Sequence, residues 1–327
     1  MPTAAGQLYS HSVEEQAAAV DPWDVTLRQV SPGPFHGSMQ FASLGDILIY
    51  RDCWSQHTVA RGALPRGYFM LGTGARPHSG INWCGDDTDA QLLALTPPDT
   101  EVDFIMPAAT PYVAILLPIR YLHSLSDGEI SDLPSLSGCH HFRCNLALGN
   151  QLIARLNRMI NTYADNPERL SSAAERKGAA ICLLDDLAEM GFGRTVGRHR
   201  VRLSARRQTL RRALEHGESV RDKTSVPKFA RQLAVSQRSL ELVFREFLGI
   251  TPRQYLNYRR MHGVHRELQQ RPPQSRCVTQ AANTWGFSEL GRFAGEYKQL
   301  FDELPSATLN RAPLRAPQSL RDVLQRE

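Results

Sequence analysis

The sequence predicts a multidomain α+β protein: an N-terminal small β-sandwich or barrel plus a helical hairpin, then an all-α C-terminal region containing two helix-turn-helix units. Three observations carry this. Between Phe35 and about Leu117, short apolar runs are broken by turn residues. From Leu146 the apolar period changes from strand-like to helical. In the last third, one pattern of small, apolar and capping residues occurs twice.

The β segment contains runs such as Asp46-Ile47-Leu48-Ile49-Tyr50, Gly67-Tyr68-Phe69-Met70-Leu71 and Tyr112-Val113-Ala114-Ile115-Leu116-Leu117. Gly72, Gly74, Gly80, Pro97 and Pro98 separate them, the spacing expected of short strands in a sandwich or barrel. Leu146, Leu148, Leu152, Ile153, Leu156, Met159, Ile160 and Tyr163 then recur at helical spacing. Asn166-Pro167 interrupts them, and Ala180, Ile181, Leu183, Leu184, Leu187 and Met190 resume it, which reads as a helical hairpin. Its apolar stripes either pack on the β segment or serve in part as a dimer face.

Charge divides the chain. Residues 1–193 hold 12 Lys+Arg against 21 Asp+Glu, and residues 194–327 hold 26 against 12, within an overall charge of +5. A basic region joined to an acidic one points to a polyanion partner for the basic part alone. Eight arginines crowd residues 194–212, a stretch that reads as a linker, either solvated or contacting phosphate. Met1 to Val20 carries Glu14 and Glu15 and no Lys or Arg, unlike a signal peptide. No apolar run is long enough to span a membrane, so the expected compartment is the cytoplasm. Six scattered cysteines argue against a disulfide framework. Cys139-His140-His141 with Cys144 gathers four soft donors, but at a spacing that suits neither a zinc ribbon nor a finger; no metal and no cofactor are expected.

The C-terminal pattern is the specific signal. Thr224-Ser225 caps a helix with Pro227 in its first turn. Val235-Ser236 starts a second helix, Gln237 to about Phe247, in which Leu240 and Phe244 face inward and Gln237, Arg238, Glu241 and Arg245 face solvent. Gly249 fits a left-handed cap, Thr251 an N-cap and Pro252 the first position of a long helix to about Gln269. Tyr255, Leu256, Met261 and Leu268 are its inward positions. The layout repeats from Val278: Ala282 matches Ala230 and Ser288 matches Ser236, each 52 residues on. A second recognition helix, Glu289 to Phe301, follows a turn with one extra residue, and Asp302 to Pro305 ends the unit as Gly249 to Pro252 ended the first.

Over about residues 215–312 the chain resembles the AraC/XylS family of transcription regulators. The markers are Ala230, Val235-Ser236, Leu240, Phe244, Leu248-Gly249-Ile250-Thr251-Pro252 and Tyr255, then Ala282, Gly286-Phe287-Ser288, Phe293, Tyr297, Phe301 and Pro305-Ser306. The resemblance implies an all-α domain of seven helices whose recognition helices enter successive major grooves. It places Arg238, Glu241 and Leu242 of the first helix, and Gly291, Arg292 and Gly295 of the second, against base edges; Gln237 and Arg245 flank them. Arg238 can donate a bidentate pair to guanine, whereas Gly291 and Gly295 offer no side chain. The first unit is therefore expected to dominate specificity and the second to position. Asp302 stands where the family usually has glycine. Pro34-Phe35-His36-Gly37 and Trp285 to Phe293 are also similar to regulators of the ethanolamine-utilisation type.

These readings divide the chain into a flexible arm (1–30), an effector-sensing or dimerisation domain (31–193), an Arg-rich linker (194–214), an AraC-type DNA-binding domain (215–315) and a tail (316–327). The expected partners are double-stranded DNA, RNA polymerase and a small-molecule effector or a second copy, with no membrane. No glycine-rich phosphate loop, His-Glu-x-x-His or Gly-x-Ser-x-Gly pattern is present, so the expected protein is not an enzyme and no catalytic residue is assigned. An activator is expected because the family leans that way. An architectural DNA protein without sequence preference is the alternative class.

Overall fold

The computed structural model describes residues 4–21, 23–75, 80–98, 100–125, 140–192, 204–219, 224–270, 277–311 and 320. The N-terminal region holds strands β1 (Ala5–Ser10), β2 (Asp24–Gln29), β3 (Gly37–Leu44), β4 (Ile47–Trp54), β5 (Thr58–Ala63), β6 (Tyr68–Gly74), β7 (Asn82–Trp83), β8 (Asp86–Asp87), β9 (Leu92–Thr96), β10 (Glu101–Met106), β11 (Tyr112–Pro118) and β12 (His140–Arg143). A seven-stranded sheet runs β1-β3-β4-β11-β6-β9-β12 and a five-stranded sheet runs β2-β5-β10-β7-β8.

Strand periodicity decides what each face meets. In β11, Ala114 and Leu116 join an apolar core shared with Leu27, Ala60, Trp83 and Val102 of the five-stranded sheet. Val113, Ile115 and Leu117 point the other way, into a second core under the hairpin α3 (Leu146–Asp165) and α4 (Ala173–Glu189). With both faces covered, β11 reads as one unbroken apolar run rather than an alternating one. The hairpin stripes thus pack on the sheet, through Leu152, Leu156, Ile160, Leu183 and Leu187, with a short 3-10 turn at Pro167–Ser171 between the helices. Leu146 and Ile181, at the margins of those stripes, remain exposed.

The first thirty residues are not a loose arm. β1 pairs with β3 from Ala5↔Ala42 to Ser10↔Gly37, and helix α1 (Val13–Ala19) is capped by the Ser12 side chain and buries Val13, Gln16 and Ala19. The segment escaped periodicity because each element is short, the helix being barely two turns. Cys84 is disulfide-bonded, whereas Cys53, Cys144, Cys182 and Cys277 are free thiols. Cys139 lies outside the described residues; His140 and His141 are buried on β12, with His141 Nδ1 3.4 Å from Asp86 Oδ2. Among the described residues no group of three or more His, Cys, Asp or Glu could hold a metal ion.

The C-terminal region is helical: α5 (Ala205–Ser219), α6 (Val226–Gln232), α7 (Gln237–Leu248), α8 (Pro252–Gln270), α9 (Val278–Thr284), α10 (Leu290–Phe301) and α11 (Pro305–Asn310), with α2 (Arg120–Leu125) belonging to the β region. Two cores organise it. Leu240, Phe244, Phe229 and Tyr255 anchor the first, and Phe293, Tyr297, Met261 and Leu268 the second. Removing a ring such as Phe244, fully buried, is expected to cost about 3–5 kcal/mol.

From Ala205 the Arg-rich stretch is part of α5 rather than a linker; 193–203 lie outside the described residues. Leu210, Ala213 and Leu214 are buried with Val30, Val59 and Ile105 of the β region. Arg211 Nε lies 3.1 Å from Asp103 Oδ2 and 3.1 Å from Glu215 Oε1, and Arg61 pairs with Asp103 and lies 3.3 Å from Glu215. The reading of this stretch as solvated or phosphate-bound missed such contacts because their acidic partner, Asp103, sits on β10, far away in sequence. The second unit docks too: Gln29 Nε2 donates to Leu300 O at 2.8 Å, Gly33 N donates to the same carbonyl at 3.1 Å, and His262 Nε2 lies 3.0 Å from Gln29 O.

Candidate nucleic-acid interface

The first unit is α6, a turn, and α7. Ser225 Oγ accepts from Lys228 N at 3.3 Å and Ser236 Oγ from Ser239 N at 3.0 Å, so both helices start on side-chain caps. Between them Ala234 is left-handed, φ 54°, which turns the chain sharply enough for Val235 N to reach Ala230 O at 3.0 Å. Gly249 closes α7 in the left-handed region, φ 68°, and Thr251 forms a reciprocal cap with Gln254, both contacts with Gln254 Oε1 being 2.9 Å.

The second unit follows the same plan with one change. Gly286, φ 74°, occupies the place of Ala234, and Asp302, φ 59°, that of Gly249. Ser288 does not cap α10. The helix begins one residue later, after Glu289, whose side chain makes no capping hydrogen bond. The extra turn residue shifts the start of the helix by one position. Gly263 lets the two units' connecting helix approach the turn closely, since a Cβ there would meet the Trp285 ring at 2.4 Å.

Every residue that the sequence assigns to base edges lies on the outward side of its helix. On α7, Gln237, Arg238, Leu242 and Arg245 are exposed and Glu241 half-buried, while Leu240, Val243 and Phe244 are buried. Leu242 is 50% exposed. On α10, Gly291, Arg292 and Gly295 are exposed, and a Cβ added at either glycine would meet nothing within 4 Å. Both faces are thus open.

The two arginines are not equivalent. Arg238 makes no ion pair among the described residues, whereas Arg292 Nε donates to Glu296 Oε1 at 2.8 Å, one turn along α10. Glu296 Oε2 in turn accepts from Asn257 Nδ2 at 2.8 Å, and Asn257 Oδ1 accepts from Arg260 Nη2 at 2.9 Å. Partial burial pushes the Glu296 carboxyl up, but the bonds from Arg292 and Asn257 outweigh it and hold the group below its ordinary value. Arg245 and Glu241 pair more loosely, at 3.8 Å. A concavity of about 900 Å³ lies between the units, with Arg253, Arg260 and Arg292 on its walls beside Glu289 and Glu296. Glu296 and Asn257 went unassigned in the sequence, although the four-residue spacing of Arg292 and Glu296 on a helix was the available signal.

A family model described as a helix-turn-helix domain matches residues 229–311. The chain is 44% identical over 91 residues to the probable thc operon regulatory protein of Rhodococcus erythropolis, a match covering 28% of this chain and 27% of that protein. It is 37% identical over 93 residues to XylDLEGF operon transcriptional activator 2 of Pseudomonas putida, covering 28% of this chain and 59% of that one. The chain therefore spans between about a quarter and three-fifths of the length of these curated relatives. Among solved structures, the AraC-like transcriptional activator CuxR is 14% identical with a TM-score of 0.41, over 79% of this chain and 94% of its own. A probable AraC family regulator from Rhodopseudomonas palustris is 30% identical with a TM-score of 0.30, over 33% of this chain and 99% of its own. The family match and the sequence identities to these operon regulators, with the paired units, their caps and their repeated core, make residues 229–311 a helix-turn-helix domain similar in sequence to the corresponding part of those regulators.

Proposed function

We propose that this chain is a sequence-specific transcription activator that lays α7 and α10 into two major grooves on one face of DNA, about 34 Å apart. The observation that carries the reading is the pair of outward helix faces, each resting on its own buried core. On α7, Arg238 supplies a bidentate donor for guanine, Glu241 an acceptor for cytosine N4 and Leu242 an apolar contact for a thymine methyl, with Gln237 and Arg245 beside them. Of the three matched positions on α10, Arg292 alone carries a side chain, between Gly291 and Gly295. Activation is supported by the curated relatives, several of which bear operon-activator names, and contact with RNA polymerase follows from that role.

The β region, residues 31–193 together with the first thirty, serves as the module that senses a small molecule or joins two copies. Its direct packing on α5 and α8 supplies a route by which either event alters DNA affinity.

Selection of the purified chain on a randomised duplex pool, with a salt titration of the winners, tests the proposal. Two blocks of preferred sequence about one helical turn apart, with binding that weakens steeply as salt rises, are expected. Salt-sensitive binding without an enriched motif would point instead to an architectural protein.

A further inference from the structure

Leu240 corresponds to Phe293 and Phe244 to Tyr297, each 53 positions on, and at that spacing Glu296 stands where the first unit has Val243. Val243 is buried in the first core. Glu296 is half-buried, a carboxylate at a place that the first unit uses for packing, and such a group needs partners to offset its lost hydration. Arg292 Nε donates to its Oε1 and Asn257 Nδ2 to its Oε2, each at 2.8 Å. Asn257 is itself held: Arg260 donates Nη2 to Asn257 Oδ1 at 2.9 Å and Nη1 to Gly286 O at 3.2 Å, with its guanidinium 4.4 Å over the Phe287 ring. One chain of contacts thus runs from the turn of the second unit, through α8, to Arg292.

Helix geometry alone does not explain so close a pair. Glutamate ahead of arginine suits the helix dipole, and Glu241 with Arg245 on α7 has that order; Arg292 with Glu296 has the reverse. Yet the α7 pair is 3.8 Å apart and the α10 pair 2.8 Å. The difference is Asn257, which fixes the second carboxylate from another helix, whereas no hydrogen bond from another helix to Glu241 is found among the described residues. The fixed carboxylate draws the Arg292 guanidinium along α10 and offsets its charge. Open space over Gly291 and Gly295 leaves room for the same side chain to swing outward once released.

We infer that Glu296 is a specificity-determining residue of the second unit: held by Asn257, it keeps Arg292 on the helix surface and out of bidentate contact with guanine. Asn257 is a positioning residue that acts through Glu296. A guanine contact needs two donors of one guanidinium aimed together at the base edge, and a guanidinium tethered through Nε to its own helix is not free to take that pose. The inference rests on the DNA-binding reading of α10 and adds the device that restrains it.

The test selects duplexes with the full chain, then measures native, Glu296→Val and Asn257→Ala chains on a panel carrying every single-base change in the second block. Valine is the residue that the first unit has at this place, and melting curves confirm that each variant folds. Glu296→Val is expected to gain a guanine preference of at least about fivefold at one base pair of that block. Asn257→Ala, which keeps the carboxylate but unseats it, should gain the same preference to a smaller extent, and it carries the test if the valine variant fails to fold. Removing a negative charge near phosphate raises affinity for any sequence, so the readout is preference rather than affinity, and Glu296→Val is repeated in an Arg292→Ala chain. There the gain should vanish. A gain that survives without Arg292 would mean that Glu296 acts on DNA directly, and would overturn the inference. Second-block preferences unchanged in both variants would also overturn it, while the native motif and the DNA-binding reading stood. A native chain that enriches no motif would overturn the sequence-specific reading, and the inference with it.

Discussion

Glu14 Oε2 lies 3.2 Å from Nδ1 of His265, so the first helix of the chain is tied to the helix that joins the two helix-turn-helix units. Burial works against the His265 imidazolium, yet Glu14 and Glu303 together raise its pKa from 6.5 to about 9. Burial likewise opposes the Glu14 carboxylate, and His265 still brings it from 4.5 down to about 2. One turn back on α8, His262 is buried and held down to about 4, so it meets Gln29 O as a neutral ring.

The sign of the pH dependence follows. The raised His265 pKa gives stability that is complete below about 6.5 and lost as pH climbs through about 9; the lowered Glu14 pKa gives stability present above about 4.5 and lost as pH falls through about 2. His262 subtracts as pH falls from 6.5 towards 4, because only the unfolded ring takes up a proton there. Glu14→Gln is therefore expected to cost about 3–5 kcal/mol at pH 6 and markedly less at pH 10. Melting curves of native and variant chains at the two pH values check this, and equal losses at both would sink the ion-pair account.

Arg238→Ala is expected to lose about 1–3 kcal/mol of discrimination at one base pair. Arg292→Ala should weaken binding more evenly across sequences, because its guanidinium is already shared with Glu296. Binding of both variants to a panel of single-base operator changes decides the matter. If Arg292→Ala relaxed the sequence preference more than Arg238→Ala, the unequal division of labour between the units would be wrong.

Ala234 and Gly286 occupy the same left-handed turn position 52 residues apart. A Cβ there is crowded against the following carbonyl. Ala234→Gly should stabilise the first unit by about 0.5–1 kcal/mol and Gly286→Ala should destabilise the second by about 1 kcal/mol. Urea unfolding of the two variants gives both signs in one experiment.

How much of this was legible beforehand depended on how far apart the deciding residues lie. Helices α7 and α8 could be bounded to within a residue or two because their caps, Ser236, Gly249, Thr251 and Pro252, are local chemistry. The start of α10, expected at Glu289, falls one residue later at Leu290, the extra residue of the turn being visible by comparison with the first unit. Asp103 and Glu14 were opaque for another reason: each is an ordinary acidic residue in a short element, and its meaning comes from a partner brought close only by tertiary packing. In the sequence Glu14 and Glu15 look alike, but the fold turns one towards His265 and the other back to the His11 amide just before its own helix.

The empty space over Gly291 and Gly295 has a consequence for how such a protein can be rewritten. Two positions on the outward face of α10 carry no side chain and would accept one without displacing a neighbour. The second unit is in that sense a blank page beside a written one. Arginine, asparagine or glutamate placed there would add a letter to the recognised sequence while the fold beneath, anchored by Phe293 and Tyr297, stayed as it is.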